Sequence, residues 1–345
     1  MKKWIFLCLI GLLLFGFAAA EEVDTPSRKT TEGEKDVSYW TLPMDIRDEE
    51  AVWKMLTAPI TVLKGNQKKQ VYLRETPSSN GTIVGEVTCE SQGVHVLGES
   101  ENGWTKIECF SSSFHDSKSL QWNRLVQGYV KSTLLTTVKP NQNMGLVVDK
   151  LTQRMYIFRQ GKLFTTLRVS TGLVNDKQPW NETRSGEYLL VSKVGGFSDG
   201  SMVCEKAIRY NSGDLIHQVP YNKRGNSKDF DPFEIRLGAR ASHGCIRVQR
   251  KRTPEGVNMS WIYDHYKKNT KIVIWEDWPD RKLPPVAADT VVYYNPNGGK
   301  NYHRSETCYG VTEKYWPLSP IFFGNLNDAE YSGLTPCVWC NPPEK

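Results

Sequence analysis

Apolar and polar positions alternate in short runs over two separate stretches of this chain. In the first stretch, residues 59–138, the runs are bounded by turn residues, a pattern typical of half-buried strands. Strands are predicted at residues 71–73, 83–87, 94–97, 104–107 and 128–130, with 134–135 closing the set. The pattern predicts a small β domain that is interrupted by a loop over roughly residues 110–125.

The second stretch, residues 144–276, is also rich in predicted strands. These cover residues 146–149, 155–159, 163–169, 188–191, 246–248 and 272–274. Gly161 predicts a tight hairpin between the second and third of them. Thr253-Pro254-Glu255 predicts the start of one helix, which runs to about residue 266, because threonine is a favoured N-cap and proline a favoured first helical residue. The chain is therefore predicted to be mainly β.

The N-terminus has the pattern of a secretory signal, residues 1–20. Lys2 and Lys3 precede an apolar run that ends in three alanines, the last of them Ala20. The run is shorter than the roughly 20 residues that span a bilayer, so we expect cleavage and export, with no stable membrane insertion afterwards. A retained anchor is the alternative. Residues 21–58 are charged and poor in aliphatics, which predicts a tether. Within the tether, a short helix over 48–57 would place three residues on one face: Ala51, Val52 and Leu56.

Length, charge and cysteine content narrow the class of protein. The 345 residues leave room for two or three domains. The formal net charge of +6 falls to about +4 without the first 20 residues, which is too small to indicate a nucleic-acid partner. Of the eight cysteines, Cys8 lies in the apolar run, so an odd number remains in the exported chain. At least one thiol is therefore free or bound to a metal.

The stretch with the clearest chemistry is SHGCIRV, residues 242–248. A thiol is mostly protonated near neutral pH, so a nucleophilic Cys245 needs an imidazole or a cation nearby. Gly244 allows close approach and leaves the N–H of Cys245 free to stabilise an oxyanion. A second histidine, His217, lies upstream and can act as the base. The alternatives are an inert buried thiol for Cys245 and a core histidine for His217.

These residues resemble the signature of the YkuD-type L,D-transpeptidase catalytic domain, a family that forms 3→3 cross-links in bacterial peptidoglycan. The resemblance rests on SHGCIR with the upstream Ile216-His217, and on the segments RVSTG (168–172) and TRSGEY (183–188). Arg184 stands where the family usually has proline, and Arg247 where many members have asparagine. The spacing between His217 and Ser242 implies an inserted loop over about residues 222–235. The family's fold is a β-sandwich, which agrees with the predicted strands.

The resemblance also implies roles for individual residues. Cys245 would attack the third residue of a tetrapeptide stem and form a thioester. His217 would be the base, with its imidazole oriented by the backbone carbonyl of Gln218. His243 would line the site, and Gly244 would flank the oxyanion hole. Arg247 would contact substrate or brace the loop, and Ser242 would lie at the substrate site, where a local hydrogen bond is its expected role. Independently of the resemblance, Tyr210 is expected to help select substrate.

The expected partners are peptidoglycan stem peptides, and the expected location is the cell wall, the periplasm or the extracellular space. No cofactor is expected for catalysis. An L,D-carboxypeptidase, in which water resolves the same thioester, is an alternative within enzymes. A wall-binding protein with a lapsed catalytic site is an alternative from another class.

Residues 59–138 resemble a bacterial SH3-like domain, a small β-barrel common in wall enzymes. The resemblance rests on the order LRETPSSNGTIVGEV, GWTKIE and GYVKSTLL. It implies binding to wall peptides or glycans, and a spacer without a ligand is the alternative. Cys89 and Cys109 fall on or beside adjacent predicted strands, so a disulfide between them is an open possibility.

Residues 277–289 contain three prolines and predict a linker to a last module, residues 290–345. This module is too small and polar to form much of a core, but it carries four soft ligands: His303, Cys308, Cys337 and Cys340. Such a set suits a structural tetrahedral zinc, which would supply folding energy. A disulfide with His303 as a bystander is the alternative.

Overall fold

The computed structural model describes residues 45–343 apart from 99, 116–117, 276–284 and 341. The predicted signal, most of the predicted tether and most of the predicted second linker lie outside these residues. None of the helices within the described part of the chain is long and apolar enough to cross a membrane.

The N-terminal part begins with a helix, α1 (Glu49–Thr57), and continues as strands. The strands are β1 (Ile60–Leu63), β2 (Gln70–Arg74), β3 (Ile83–Thr88), β4 (His95–Val96), β5 (Trp104–His115), β6 (Lys118–Lys131) and β7 (Leu135–Val138). An antiparallel sheet has the order β3–β2–β6–β5–β4, while β1 pairs with β7. The strands predicted here are confirmed. Residues in the predicted loop over 110–125 instead continue β5 and β6 as one long hairpin.

Cys89 and Cys109 are buried free thiols in the core of this sheet, so no disulfide joins them. Their core is built from apolar side chains of the surrounding strands: Leu63, Leu73, Val87, Val94, Ile107 and Val130. The two cysteines therefore pack as small apolar residues.

Helix α1 is capped by Asp48, whose carboxylate accepts a hydrogen bond from the N–H of Ala51 at 3.0 Å. Its buried face consists of Val52, Met55 and Leu56, and Ala51 is exposed, so the predicted face was wrong at that position. The spacing of the buried residues, i, i+3 and i+4, aligns them on one side of the helix. This side packs against apolar side chains from the middle of the chain, namely Val147, Tyr156, Phe158, Val273 and Trp275.

The middle of the chain forms one large mixed sheet. Its elements are β8 (Met144–Asp149), β9 (Arg154–Arg159), β10 (Lys162–Ser170), β11 (Gly186–Leu190), β12 (Ser192–Asp199), β13 (Met202–Arg209), β14 (Leu215–Gln218), β15 (Tyr221–Arg224), β16 (Ser227–Asp229), α2 (Asp231–Glu234), β17 (Ile246–Val248), α3 (Met259–His265) and β18 (Thr270–Trp275). The strand order is β11–β18–β8–β9–β10–β17–β14–β13–β15–β16, with β12 beside β13. The prediction of a mainly β protein with few helices is confirmed. The inserted loop over 222–235 is a short hairpin followed by α2.

Two local turns show where sequence patterns succeeded and failed. Gln160 and Gly161, with φ of 50° and 85°, form the predicted hairpin turn between β9 and β10. The predicted helix start at Thr253 was wrong, because helix α3 begins at Met259. Gly256 has φ of 78° and keeps the preceding residues in a turn, while the Asn258 side chain accepts from the N–H of Trp261 and caps the helix.

The N-terminal sheet and the large sheet are joined through main-chain hydrogen bonds. The N–H of Gly93 donates to the carbonyl of Glu187 at 2.7 Å, and the N–H of Leu189 donates to the carbonyl of Ser91 at 2.8 Å. A small apolar cluster seals the junction: Ile60, Val62, Leu189 and Val191. Strand β11, which begins just after residues 182–185, is therefore held from both sides.

The C-terminal module contains short strands around two small cores. The strands are β19 (Val291–Tyr294), β20 (Asn301–His303), β21 (Ser319–Phe322) and β22 (Thr335–Pro336), in the order β21–β19–β20–β22. One core is centred on Val292, Tyr302 and Leu326, and the other contains Cys308, Leu318 and Cys337.

Candidate active site

Cys245 and His217 lie on neighbouring parallel strands. Cys245 immediately precedes β17, and His217 is in β14, opposite Arg247 in the register. Cys245 is two residues before Arg247, and side chains two apart on a strand share a face. The register therefore places Cys245 and His217 near each other along adjacent strands, and strand alternation predicts that their side chains share a face.

The imidazole of His217 is held in one orientation. Its Nδ1 lies 2.7 Å from the carbonyl oxygen of Gln218, which can only accept, so Nδ1 carries the proton and Nε2 is left as the basic nitrogen. The ring also meets Phe197 edge to face at 5.6 Å. Burial lowers the pKa of His217 to about 4, so the ring is neutral at pH 7.

The thiol of Cys245 is also neutral at pH 7. Its pKa is raised to about 12, mainly by burial and also by the nearby carboxylate of Asp214, while the N–H of Leu215 donates to the sulfur and opposes the shift. A second thiol, Cys204, lies close enough to influence it, yet both cysteines are free. The thiol of Cys245 and the imidazole of His217 are therefore both neutral at pH 7, and a neutral thiol becomes a nucleophile only when a base takes its proton.

The loop that carries Cys245 is fixed by contacts to its backbone. Gly244 has φ of 116°, and a Cβ there would lie 3.2 Å from a carboxylate oxygen of Asp214, so glycine is required. The Thr183 hydroxyl donates to the carbonyl of Gly244 at 2.7 Å and accepts from the N–H of Gly172 at 2.8 Å. The Ser242 hydroxyl donates to the carbonyl of Cys245. These bonds fix the backbone on both sides of Cys245.

A buried ion pair between Arg184 and Asp214 lies next to the loop that carries Cys245. Arg184 donates to the carboxylate of Asp214 at 2.8 Å and 3.1 Å, and the two side chains are 9% and 13% exposed. Sequence reasoning noted Arg184 only as a departure from a family pattern and missed Asp214 entirely. A single acid in a turn gives no signal in the sequence, since its partner is 30 residues away.

The long β5–β6 hairpin of the N-terminal part reaches this same region. The indole of Trp122 donates to the carbonyl of Glu182 at 3.0 Å, and the guanidinium of Arg184 lies 4.8 Å from its ring. Asn123 donates to the Glu182 carboxylate and accepts from the N–H of Ser185, both at 2.7 Å. The N-terminal part therefore supports the segment that supplies Thr183 and Arg184.

Replacing Asn123 with alanine should lower the free energy of unfolding by about 1–3 kcal/mol beyond the effect of its backbone conformation, because the buried N–H of Ser185 loses its acceptor and the half-buried Glu182 carboxylate keeps only the donor from Lys150. The control is Asn102→Ala, since Asn102 has φ of 50° against 51° for Asn123 but is exposed in a turn. Urea unfolding of both variants measures the difference. Equal losses in the two variants would mean that the contacts to Glu182 and Ser185 contribute nothing.

The remaining residues expected at the site differ in their burial and in their hydrogen bonds. His243 is exposed beside Cys245, and Ser242 is buried. Arg247 is 5% exposed, and within the described part of the chain its Nη1 has no hydrogen-bond partner. Tyr210 is fully buried, and its hydroxyl likewise has no partner among the described residues. Tyr210 and Arg247 thus each retain a polar atom without a partner. Both lie close enough to Cys245 for its thiol to influence their pKa values.

The four ligands expected in the last module are also brought together. His303 ends β20, Cys337 follows β22, and the ligand atoms of the four residues lie within 4.8 Å of one another. The other two residues are Cys308 and Cys340.

A mainly β fold with a cysteine directly before one strand and a histidine on the adjacent parallel strand is the arrangement of a candidate acyl-transfer domain. Residues 143–274 match the family model of the L,D-transpeptidase catalytic domain, YkuD. This part of the chain is therefore similar to YkuD-type L,D-transpeptidase catalytic domains.

Individual proteins similar to this chain include the Putative L,D-transpeptidase YciB of Bacillus subtilis (strain 168). It is 30% identical over 141 residues, which cover 39% of this chain and 66% of that protein, just under two thirds of its length. An L,D-transpeptidase structure from Mycobacterium smegmatis is 14% identical, with 64% of this chain and 91% of that chain covered and a TM-score of 0.30. L,D-transpeptidase 3 from Mycobacterium tuberculosis, in complex with a faropenem-derived adduct, is 12% identical, with 64% and 92% covered and a TM-score of 0.31.

Proposed function

We propose that this protein is an exported peptidoglycan L,D-transpeptidase that forms 3→3 cross-links through an acyl-enzyme on Cys245. One observation carries the proposal: Cys245 directly precedes the strand that pairs in parallel with the strand of His217, whose Nδ1 is bound to the Gln218 carbonyl and whose Nε2 is basic. The match of residues 143–274 to the family supports it. The proposed location is the cell wall, the periplasm or the extracellular space.

In the first half-reaction, the Cys245 sulfur attacks the carbonyl carbon of the third stem residue, a diamino acid, and the thiol proton passes to Nε2 of His217. The oxyanion is stabilised by the N–H of Cys245 next to Gly244. When the bond to the terminal D-Ala breaks, the imidazolium returns its proton to the departing amine. The products are a thioester and free D-Ala.

In the second half-reaction, the side-chain amine of a neighbouring stem's diamino acid attacks the thioester carbon. The amine loses its proton to His217, the C–S bond breaks, and the sulfur recovers a proton from the imidazolium. Cys245 and His217 thus return to the neutral pair from which the cycle began.

Arg247 and Tyr210 are the proposed substrate contacts nearest to the thiol. Arg247 has an Nη1 without a partner among the described residues, which suits a stem carboxylate because a guanidinium binds carboxylates with directed N–H groups. The Tyr210 hydroxyl can donate to a substrate oxygen. His243 is exposed and would line the entrance, whereas Ser242 would act through the loop that it holds.

Residues 59–138 are proposed to be the SH3-like domain of this enzyme. The support is its antiparallel sheet of short strands, with β1 and β7 paired beside it. Its role towards wall peptides or glycans belongs to the same proposal.

The test is the formation of an acyl-enzyme with a carbapenem, followed by intact-protein mass spectrometry. The full chain should gain one carbapenem mass, and Cys245→Ala should gain none. The control is Cys204→Ala, which removes the neighbouring buried thiol and should still be acylated. An adduct that persists in Cys245→Ala would end the assignment of the nucleophile.

The products formed from a disaccharide tetrapeptide test the type of reaction. Cross-linked dimers with release of D-Ala are expected from the wild-type chain, and none from Cys245→Ala. Tripeptide monomers without dimers would overturn the transpeptidase proposal and identify an L,D-carboxypeptidase instead.

A further inference from the structure

The C-terminal module contains four soft ligand atoms in the arrangement of a metal site. The sulfurs of Cys308 and Cys337 lie 3.8 Å apart, and the sulfur of Cys340 lies 3.8 Å from Nδ1 of His303. Tetrahedral zinc, with bonds of about 2.3 Å to sulfur and about 2.0 Å to nitrogen, places neighbouring ligand atoms about 3.6–3.8 Å apart. Both distances therefore agree with edges of one such tetrahedron.

Each of the three sulfurs also accepts a backbone hydrogen bond. The N–H groups come from Gly310 to Cys308 at 3.3 Å, from Trp339 to Cys337 at 3.4 Å, and from Arg304 to Cys340 at 3.2 Å. In the first two cases the donor lies two residues after the cysteine, so the chain folds around its own sulfur. Such N–H groups stabilise the negative charge of a thiolate and orient it towards a metal.

A disulfide accounts for this cluster less well. A disulfide would use two of the three thiols. It would not explain why the third thiol and the imidazole of His303 lie in the same cluster. His303, Cys308 and Cys337 are 5%, 2% and 3% exposed, so three ligands are buried in a module with two small cores. A module of this size gains from a metal the folding energy that its apolar core does not supply.

We propose that His303, Cys308, Cys337 and Cys340 bind one Zn²⁺ ion in a closed tetrahedral site. The three thiols release their protons on binding, which gives the site a net charge of −1. Four protein ligands leave no position for a reactive water, so the site is structural.

The charge of the occupied site is matched by cations of the catalytic domain. The carbonyl of Val338 accepts from Arg154 at 3.0 Å, and the guanidinium of Arg168 lies 4.4 Å from the ring of Trp339. Lys251 donates to the carbonyl of Tyr309 at 2.6 Å and also faces the Trp339 ring. Val338 and Trp339 are the two residues between the ligands Cys337 and Cys340, so the metal fixes the turn that makes these contacts.

Arg168 connects the turn between Cys337 and Cys340 to the loop that precedes Cys245. Arg168 donates to the carbonyl of Leu237, and the hydroxyl of Ser170 donates to the carbonyl of Arg236 at 2.7 Å. Residues 236–241 precede Ser242 directly. The bound ion therefore orders residues 236–241 as well as its own module.

Metal analysis of the full chain, purified under reducing conditions with zinc supplied, tests the site. The wild type and the control Cys89→Ser should each hold about one zinc per chain, and Cys308→Ser and His303→Ala should hold less than about a tenth of that. His303→Cys should retain the metal, because four thiolates also bind zinc, which keeps the test valid where His303→Ala fails to fold. A folded wild type without zinc, or a disulfide among Cys308, Cys337 and Cys340 in exported protein, would overturn the proposal.

Hydrogen exchange tests the connection to the catalytic domain. On removal of zinc by a chelator, amide exchange in residues 236–241 should rise at least about tenfold, while that of strand β8 stays unchanged. Trp339→Ala should keep its zinc and also show a rise, since it removes the ring that Arg168 contacts. Unchanged exchange in residues 236–241 after zinc loss would confine the ion's effect to its own module. Neither measurement depends on catalytic activity.

Discussion

Replacing His217 with glutamine should slow the acylation of Cys245 by about 10²–10⁴-fold, the usual contribution of a positioned general base. Both partners are neutral in the folded protein, so sulfur becomes nucleophilic only as its proton leaves for Nε2. Glutamine fills a similar volume but cannot accept that proton. Stopped-flow or mass-resolved acylation by a carbapenem measures the rate.

The pH dependence of acylation follows from the two pKa values. His217 must be neutral, which holds above its pKa of about 4, and the Cys245 thiol keeps its proton up to about 12. The rate should therefore stay nearly constant from pH 5 to 10 and fall as the pH drops through about 4, not through the usual histidine value of about 6.5. In His217→Gln the limb near pH 4 should disappear.

The matched control for His217→Gln is His265→Gln. His265 is exposed, bonds the carbonyl of Trp261 through Nδ1 and stacks on that indole, well separated from Cys245 along the chain. It should leave both the rate and the pH profile unchanged. If His217→Gln acylated at the wild-type rate, the imidazole would have no role as the base.

The second large effect is expected at the ion pair between Arg184 and Asp214, next to the loop that carries Cys245. Arg184→Met should lower the free energy of unfolding by about 3–5 kcal/mol, because it leaves the carboxylate of Asp214 buried without its counter-charge. Denaturant unfolding measures this loss. The unpaired carboxylate would also face Cys245 directly and raise the pKa of its thiol further, so alkylation of the thiol by iodoacetamide should slow.

Two further variants separate the ion pair from a general loss of charge. The double variant Arg184→Met/Asp214→Leu should be more stable than Arg184→Met alone, because no charge is left buried. Arg224→Met breaks the pair with Asp229, an N···O contact of 3.0 Å in which the arginine is 71% exposed, and should change stability by less than about 1 kcal/mol. Equal losses in Arg184→Met and Arg224→Met would contradict the assigned cost of burying Asp214.

Local patterns of residues determine much of the fold. Short runs of apolar residues located β8, β9, β10 and β17, and the turn at Gly161 followed from glycine alone. Such features depend on a few consecutive residues, so the sequence contains all the information that they need. The same holds for the motif around Cys245, in which the nucleophile and Gly244 are neighbours.

Predictions from local patterns were wrong where other residues determined the secondary structure. Thr253-Pro254-Glu255 has the residues of a helix start, yet Gly256 turns the chain and Asn258 provides the cap five residues later. The segment over 110–125 contains polar residues typical of a loop, but Trp122 and Asn123 gain partners in residues 182–185. Contacts with distant residues thus stabilise a hairpin that its own composition does not favour.

By itself the sequence determined the β class of the protein, the candidate nucleophile and the set of four soft ligands, because each depends on residue type and short spacing. Only the tertiary structure decided that Asp214 and Arg184 pair beside Gly244, that the N-terminal hairpin supports Thr183 and Arg184, and that Arg168 joins the C-terminal turn to the loop before Ser242. The physical reason is distance along the chain. The energy of a buried charge or an orphaned polar group depends on which residues the fold brings to it, and no local pattern records that choice.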